Sequence, residues 1–184
     1  MRELVMFNLV SLDGYFEGPN QDISWHNVDA EFNEHAVAML DDTGLLLFGR
    51  ITYDLMARVW PTEAAKRDDP LVAQRMNDLP KVVFTRTLRE ATWQNTRLVR
   101  GNIEKEVSRM KEQAGKRIAL LGSGSIVPQL ARSGLIDEYQ FMVNPIALGG
   151  GRPLFSDLQG KLGLRLVRSK VFGNGNVMIA YRPA

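Results

Sequence analysis

The sequence has no cysteine and only two histidines in 184 residues. Without cysteine there is no disulfide, no thiol nucleophile and no thiolate metal site. That composition suits a reducing compartment, and the expected location is the cytoplasm. His26 and His35 stand nine residues apart, without the i,i+4 spacing of a helical zinc motif, so no metal is expected. An excess of one charge is missing too. Lys and Arg number 23 against 21 Asp and Glu, a net +2, too balanced for a dedicated nucleic-acid surface. Nor is there a long hydrophobic run. The uncharged stretch 118–131 is interrupted by Gly122 to Ser125 and by Pro128, far from the ~20 apolar residues of a membrane span. The opening MRELVMFNLVSLDG is broken by Asn8 and stopped by Asp13, with no small-residue cleavage site behind it, so it does not read as a signal peptide. A Gly-x-Ser-x-Gly elbow and a Walker loop are both absent, which leaves acyl transfer and P-loop phosphoryl transfer without support.

What is present is an ordinary globular composition, 45% hydrophobic and 24% charged. It predicts one domain over residues 1–184 with a sizeable core. Glu3 to Val10 reads as a strand, closed by Ser11-Leu12-Asp13-Gly14, with a loop to about Asn27. Phe32, Ala36, Met39 and Leu40 share one helical face, with Asp29 as its N-cap. Leu45–Phe48 is a short strand, and Ile51, Leu55, Met56 and Val59 give a second helix ended by Pro61. Residues 62–80 look like a polar surface excursion with one short helix. Strands follow at Lys81–Thr85, Thr96–Val99 and Arg117–Leu121, with helices from Ile103 to Ala114 and after Ser125 to about Ser133. Beyond Ile136 the period changes to alternation, and two strands, Leu164–Phe172 and Asn176–Arg182, are joined by Gly173-Asn174-Gly175. The Asn-Gly pair predicts a hairpin in which both turn residues take positive φ. The expected fold class is therefore α/β: a mixed, mostly parallel sheet, helices on both faces, and a C-terminal antiparallel hairpin.

Two strand-to-helix junctions share one design: Phe48-Gly49-Arg50-Ile51-Thr52 and Leu121-Gly122-Ser123-Gly124-Ser125-Ile126. Free N–H groups at a helix start favour anions, glycine lets a phosphate reach the backbone, and Arg50 with the hydroxyls of Thr52, Ser123 and Ser125 adds donors. Together they fit the two phosphates of a dinucleotide. Taken singly, each also fits a tight turn with an ordinary cap. The second junction lacks the third glycine and the later acidic residue of a Rossmann fingerprint. Thr85-Arg86 closes a strand with a guanidinium suited to a 2′-phosphate.

The order of these pieces resembles the dihydrofolate reductase-like superfamily, and within it the C-terminal reductase domain of the bifunctional riboflavin-biosynthesis deaminase-reductases, in a stand-alone form. The residues that carry the resemblance are Ser11-Leu12-Asp13-Gly14-Tyr15, Phe48 to Tyr53, Val83 to Arg86, Gly122 to Ser125 and Asn144 to Phe155.

The resemblance implies an NADPH-dependent reductase that passes a hydride to an imine or carbonyl of a small substrate. The family's own acceptor would be 5-amino-6-(5-phosphoribosylamino)uracil. Gly49, Arg50 and Thr52, with Gly122, Ser123, Gly124, Ser125 and Ile126, would hold the cofactor phosphates, and Thr85 and Arg86 the 2′-phosphate. The Ser11–Tyr15 loop would be a mobile cover hinged at Asp13-Gly14. The proton would come from water, Asp13 or Glu31, and Trp25, Phe32 and His35 stand where a planar substrate would stack. The alternatives are a non-catalytic NADP(H)- or nucleotide-binding module and a true dihydrofolate reductase. The first-helix carboxylate motif of the latter is not cleanly matched by Asp29, Glu31 or Glu34. Expected partners are a small-molecule substrate and a second copy, through the edge of the C-terminal hairpin.

Overall fold

A computed structural model describes residues 1–184. Ten strands lie along the chain: β1 Leu4–Ser11, β2 Tyr15–Glu17, β3 Thr43–Gly49, β4 Lys81–Phe84, β5 Thr96–Val99, β6 Arg117–Leu121, β7 Glu138–Asn144, β8 Arg152–Pro153, β9 Leu164–Val171 and β10 Val177–Pro183. Six helices connect them: α1 Ala30–Asp41, α2 Arg50–Val59, α3 Glu63–Asp68, α4 Pro70–Asp78, α5 Ile103–Glu112 and α6 Val127–Arg132.

Eight strands form one sheet in the order β5-β4-β3-β6-β1-β7-β10-β9. The first six are parallel, β10 runs antiparallel to β7, and β9 runs antiparallel to β10. A parallel sheet must be covered on both faces, and the apolar residues divide accordingly. Leu4, Met6, Leu45, Leu47, Val82, Ile118 and Leu120 pack with Val107 and Met110 of α5 and Val127 and Leu130 of α6. Phe7, Leu46, Phe48, Val83, Ala119 and Leu121 pack on the opposite face with Phe32, Ala36 and Leu40 of α1 and Val72 and Met76 of α4. The fold class is as expected. Asp29 caps α1, accepting from the Phe32 N–H at 2.9 Å.

Three local expectations need correction. Residues 62–80 hold two helices. Thr62 caps α3 through the Ala65 N–H, Pro70 starts α4, and Val72, Ala73 and Met76 are buried. The loop after β1 contains β2, which pairs with β8 in a small antiparallel ribbon. In the β9–β10 turn only Gly175 takes a positive φ, +89°. Phe172 and Asn176 pair across three residues, with the Phe172 N–H donating to the Asn176 carbonyl at 2.9 Å. The glycine in left-handed geometry thus ends a three-residue loop instead of sharing a two-residue turn with Asn174.

Candidate functional site

Because β4, β3, β6, β1 and β7 are parallel neighbours, their carboxyl ends emerge along one edge, where ligand crevices form in such sheets. Thr85-Arg86, Gly49 to Thr52, Gly122 to Ile126, Ser11 to Tyr15 and the segment after Asn144 therefore line up side by side in that order. Chain positions as distant as 14 and 145 become adjacent by strand order alone.

The two phosphate-type junctions are braced against each other. The Gly49 N–H donates to the Ser123 hydroxyl at 2.8 Å, and that hydroxyl donates to the Leu121 carbonyl at 2.9 Å. The Ser123 N–H donates to Thr52 Oγ1 at 3.0 Å. Gly122, with φ +58°, lies so close to Thr52 that an added Cβ would stand 2.9 Å from Thr52 Cγ2. The Gly49 N–H and the Ser123 hydroxyl, expected to face a phosphate, are thus occupied in structural bonds, whereas the Thr52 hydroxyl accepts one such bond and keeps its own proton to donate. Also open are the start of α2, which no side chain caps, the N–H groups of Gly124 and Ser125, and the exposed Ser125 hydroxyl. Ile126 is buried beneath them.

Arg50 makes an ion pair with Asp54 at 2.9 Å and stays half-exposed. The Thr85 hydroxyl accepts from the N–H groups of Thr87, at 3.2 Å, and Leu88, at 2.9 Å, so it shapes the turn after β4. Arg86 is exposed on that turn with no ion pair or side-chain hydrogen bond.

The loop after β1 is pinned. Asp13 accepts from the Ser11 hydroxyl at 2.6 Å, from the Leu148 N–H at 3.0 Å and from the Gly149 N–H at 2.8 Å. These bonds, with Ser11 the largest contributor, hold its carboxyl down at about 2. The ring of Phe16 lies against Gly124, where a Cβ would sit 2.4 Å from Phe16 Cζ, and the backbone of Gly151 packs equally tightly on Glu17. Asp13 therefore staples the loop after β1 to the segment after β7, with both carboxylate oxygens engaged.

Glu31 is also committed. It pairs with Lys170 at 2.9 Å and accepts from the Gly173 N–H at 2.9 Å, tying α1 to the β9–β10 turn. Its carboxyl is held below the usual range by that backbone bond and then by Lys170. It therefore stands outside the cavity described next.

That cavity, about 520 Å³, opens between α1, α2 and α4, beside the ends of β1 and β6. Phe32 lines it, as expected, but Trp25 and His35 do not. The Trp25 indole donates to the Asp22 carbonyl at 2.9 Å and stands edge-on to His26. His35 is wedged between Phe7 and Phe172, with ring centroids 6.3 and 5.6 Å away, and burial lowers its pKa. Residues not anticipated from the sequence line the cavity instead: Asn8, Glu17 and His26. Asn8 is 3% exposed, its amide nitrogen donates to the Gly122 carbonyl at 3.3 Å, and its amide oxygen accepts nothing from the protein. Burial pushes the His26 imidazole down to about 4, with Asp22 opposing. A polar residue inside an otherwise apolar strand, such as Asn8 in LVMFNLVS, was the one available signal.

The family model of the RibD C-terminal domain matches residues 2–178. The chain belongs to the RibD C-terminal domain family. Two Bacillus subtilis proteins are similar over nearly their whole length. YyaP is 32% identical over 98% of this chain and 94% of its own, and YwjB is 25% identical over 94% and 93%. A Shewanella sp. PV-4 structure named for riboflavin biosynthesis is 24% identical, with TM-score 0.75 and 99% of each chain covered. The Thermotoga maritima diaminohydroxyphosphoribosylaminopyrimidine deaminase/5-amino-6-(5-phosphoribosylamino)uracil reductase is 14% identical, with TM-score 0.72. All of this chain aligns there, against 57% of that one. At these identities the two structures establish the fold. The RibD C-terminal fold also accounts for the strand-end array, since its landmarks fall on the ends of adjacent parallel strands.

Proposed function

We infer that this protein is an NADPH-dependent reductase that delivers a hydride to an imine or carbonyl carbon of a small molecule. The carrying observation is the row of open donors at the strand ends next to a largely apolar cavity. The uncapped start of α2, the free N–H groups of Gly124 and Ser125, and Arg50 would hold the diphosphate. The unpaired Arg86, two strands away from Gly122, would take the 2′-phosphate. When bound, the dinucleotide supplies the hydride from its dihydronicotinamide C4. The chain's own share is to hold donor and acceptor together and to keep water out. Phe16 and the pinned loop cover the Gly124 side, and the α1 and α2 walls enclose the acceptor. With Asp13 and Glu31 both committed, the proton that completes the reduction comes from water at the cavity mouth. A cytoplasmic location fits the cysteine-free chain, and no helix is long and apolar enough to cross a membrane.

Titration with NADPH and NADH, followed by tryptophan quenching and thermal shift, tests the reading. Micromolar NADPH binding with much weaker NADH binding supports it, and no binding of either removes it. A second reading is a binding module that senses NADP(H) without turnover. It is favoured by the absence of a free acid at the two positions the sequence suggested. Tight NADPH binding with no oxidation across aldehydes, imines, quinones and pterins would select it.

A further inference from the structure

The cavity wall does not resemble a site for a phosphorylated ribose. Its floor is Phe7 and Phe32, with ring centroids 6.5 Å apart, and its sides carry Met39, Met56, Leu55 and Val72. Methionine and phenylalanine at this density make adaptable, polarisable contacts to flat apolar rings. Ribose hydroxyls against such walls would lose water without gaining partners, each at roughly tenfold or more in affinity.

The charges at the rim are largely spent on one another. Arg50 is paired with Asp54 at 2.9 Å, Glu17 faces Arg152 at 3.7 Å, and Asp69 accepts from the Asn33 amide. Arg58 is the one lining cation without an ion pair, and it is exposed in the last turn of α2. His26, with its Nε2 buried and unpartnered, is neutral at ordinary pH. Apart from the Arg50–Thr52 start of α2, taken above for the dinucleotide, the lining offers a second phosphate only the exposed Arg58. A volume of about 520 Å³ accommodates a compact ring system of two or three fused rings.

On the reading of the protein as a reductase, we propose that its acceptor is a neutral, flat, largely apolar carbonyl compound, such as a fused-ring quinone or aryl ketone, bound between α1 and α2. The acceptor gains a hydride at one carbonyl, or at the conjugated carbon of a quinone. Its oxygen takes a proton from water, and the dinucleotide leaves oxidised.

The test separates this from the reductase reading by measuring binding without cofactor. Menadione and 5-amino-6-(5-phosphoribosylamino)uracil are titrated by calorimetry into wild type, Leu55→Arg and Arg58→Ala. Menadione cannot be captured by a thiol here, because the chain has none. Expected are micromolar menadione binding, at least tenfold tighter than the pyrimidine, and at least a tenfold loss in Leu55→Arg. That side chain is 37% exposed, so its replacement leaves the core intact. Arg58→Ala should leave menadione binding unchanged. Tighter pyrimidine binding that falls with Arg58→Ala would overturn the proposal, as would menadione binding indifferent to Leu55→Arg. Neither result depends on whether NADPH binds, which the titration above reports separately.

Discussion

The backbone N–H of Gly49 is held by the hydroxyl of Ser123 across 74 residues of sequence, at 2.8 Å, and this bond locks the start of α2 to the end of β6. Ser123 itself adopts φ +67° and is 4% exposed. Ser123→Ala removes the acceptor and leaves the Gly49 N–H buried and unpaired. A loss of about 1–3 kcal/mol in urea unfolding is expected. Gly122→Ala should cost a similar or larger amount, because it combines a left-handed φ with a clash against Thr52. Full stability in either variant would show that the brace contributes nothing.

Arg86→Ala is expected to weaken NADPH by about 1.5–3 kcal/mol, the scale of a charge-assisted hydrogen bond, while leaving NADH binding alone. The ratio of the two dissociation constants is the readout. An equal loss for both cofactors would move Arg86 away from the 2′-phosphate.

Asp13→Asn bears on the proton. A carboxyl held at about 2 stays ionised throughout the working range, so it has no proton to give. The variant should keep the pH profile of kcat above pH 5 while lowering the melting temperature, since an amide cannot accept as well from Ser11 Oγ and the Leu148 and Gly149 N–H groups. A new acidic limb in the profile would restore Asp13 to the chemistry.

His26 makes stability depend on pH. Its imidazole titrates at about 4 when folded, below its ordinary 6.5. Between those values the unfolded chain binds more protons, so stability rises with pH and is lost as pH falls from 6.5 towards 4. A decline of about 2 kcal/mol between pH 7.5 and 5 is expected, at 1.36 kcal/mol per unit. It should be clearly smaller in His26→Asn, which leaves only the contribution of His35, whose pKa burial also lowers, as chemical denaturation at the two pH values would show.

The open side of β9 is expected to pair with a second copy. The strand bonds only to β10, and Leu166 and Val171 on it are 56% and 74% exposed. Light scattering should give a dimer that Leu166→Lys with Val171→Lys converts to monomer. A wild-type monomer at tens of micromolar would dismiss the pairing.

Much of the fold could be read from local pattern. β5 and β6 fall on the residues that alternation and apolar runs indicated, and Asp29 caps α1 as its position suggested. Local pattern misjudged α4, because Gln74, Arg75 and Asn77 dilute the apolar face that Val72, Ala73 and Met76 bury. The strand-end array was legible too, since glycine before a helix is a local signal. The roles of Asp13 and Glu31 were not. Their partners Gly149 and Gly173 lie 136 and 142 residues away, and only the closed sheet brings them within reach. The same distance effect hid Ser123 as the partner of Gly49.

The β2–β8 ribbon, the contact of Gly151 with Glu17 and the Asp13 staple make the segments 12–18 and 146–153 a single body. The contacts tie the two segments into one cover, so that they would move together. Its disorder is removed when the chain folds, so a ligand arriving at the strand ends meets a preformed wall and forfeits little affinity to closure. A ligand at this edge should therefore bind with little ordering of the cover.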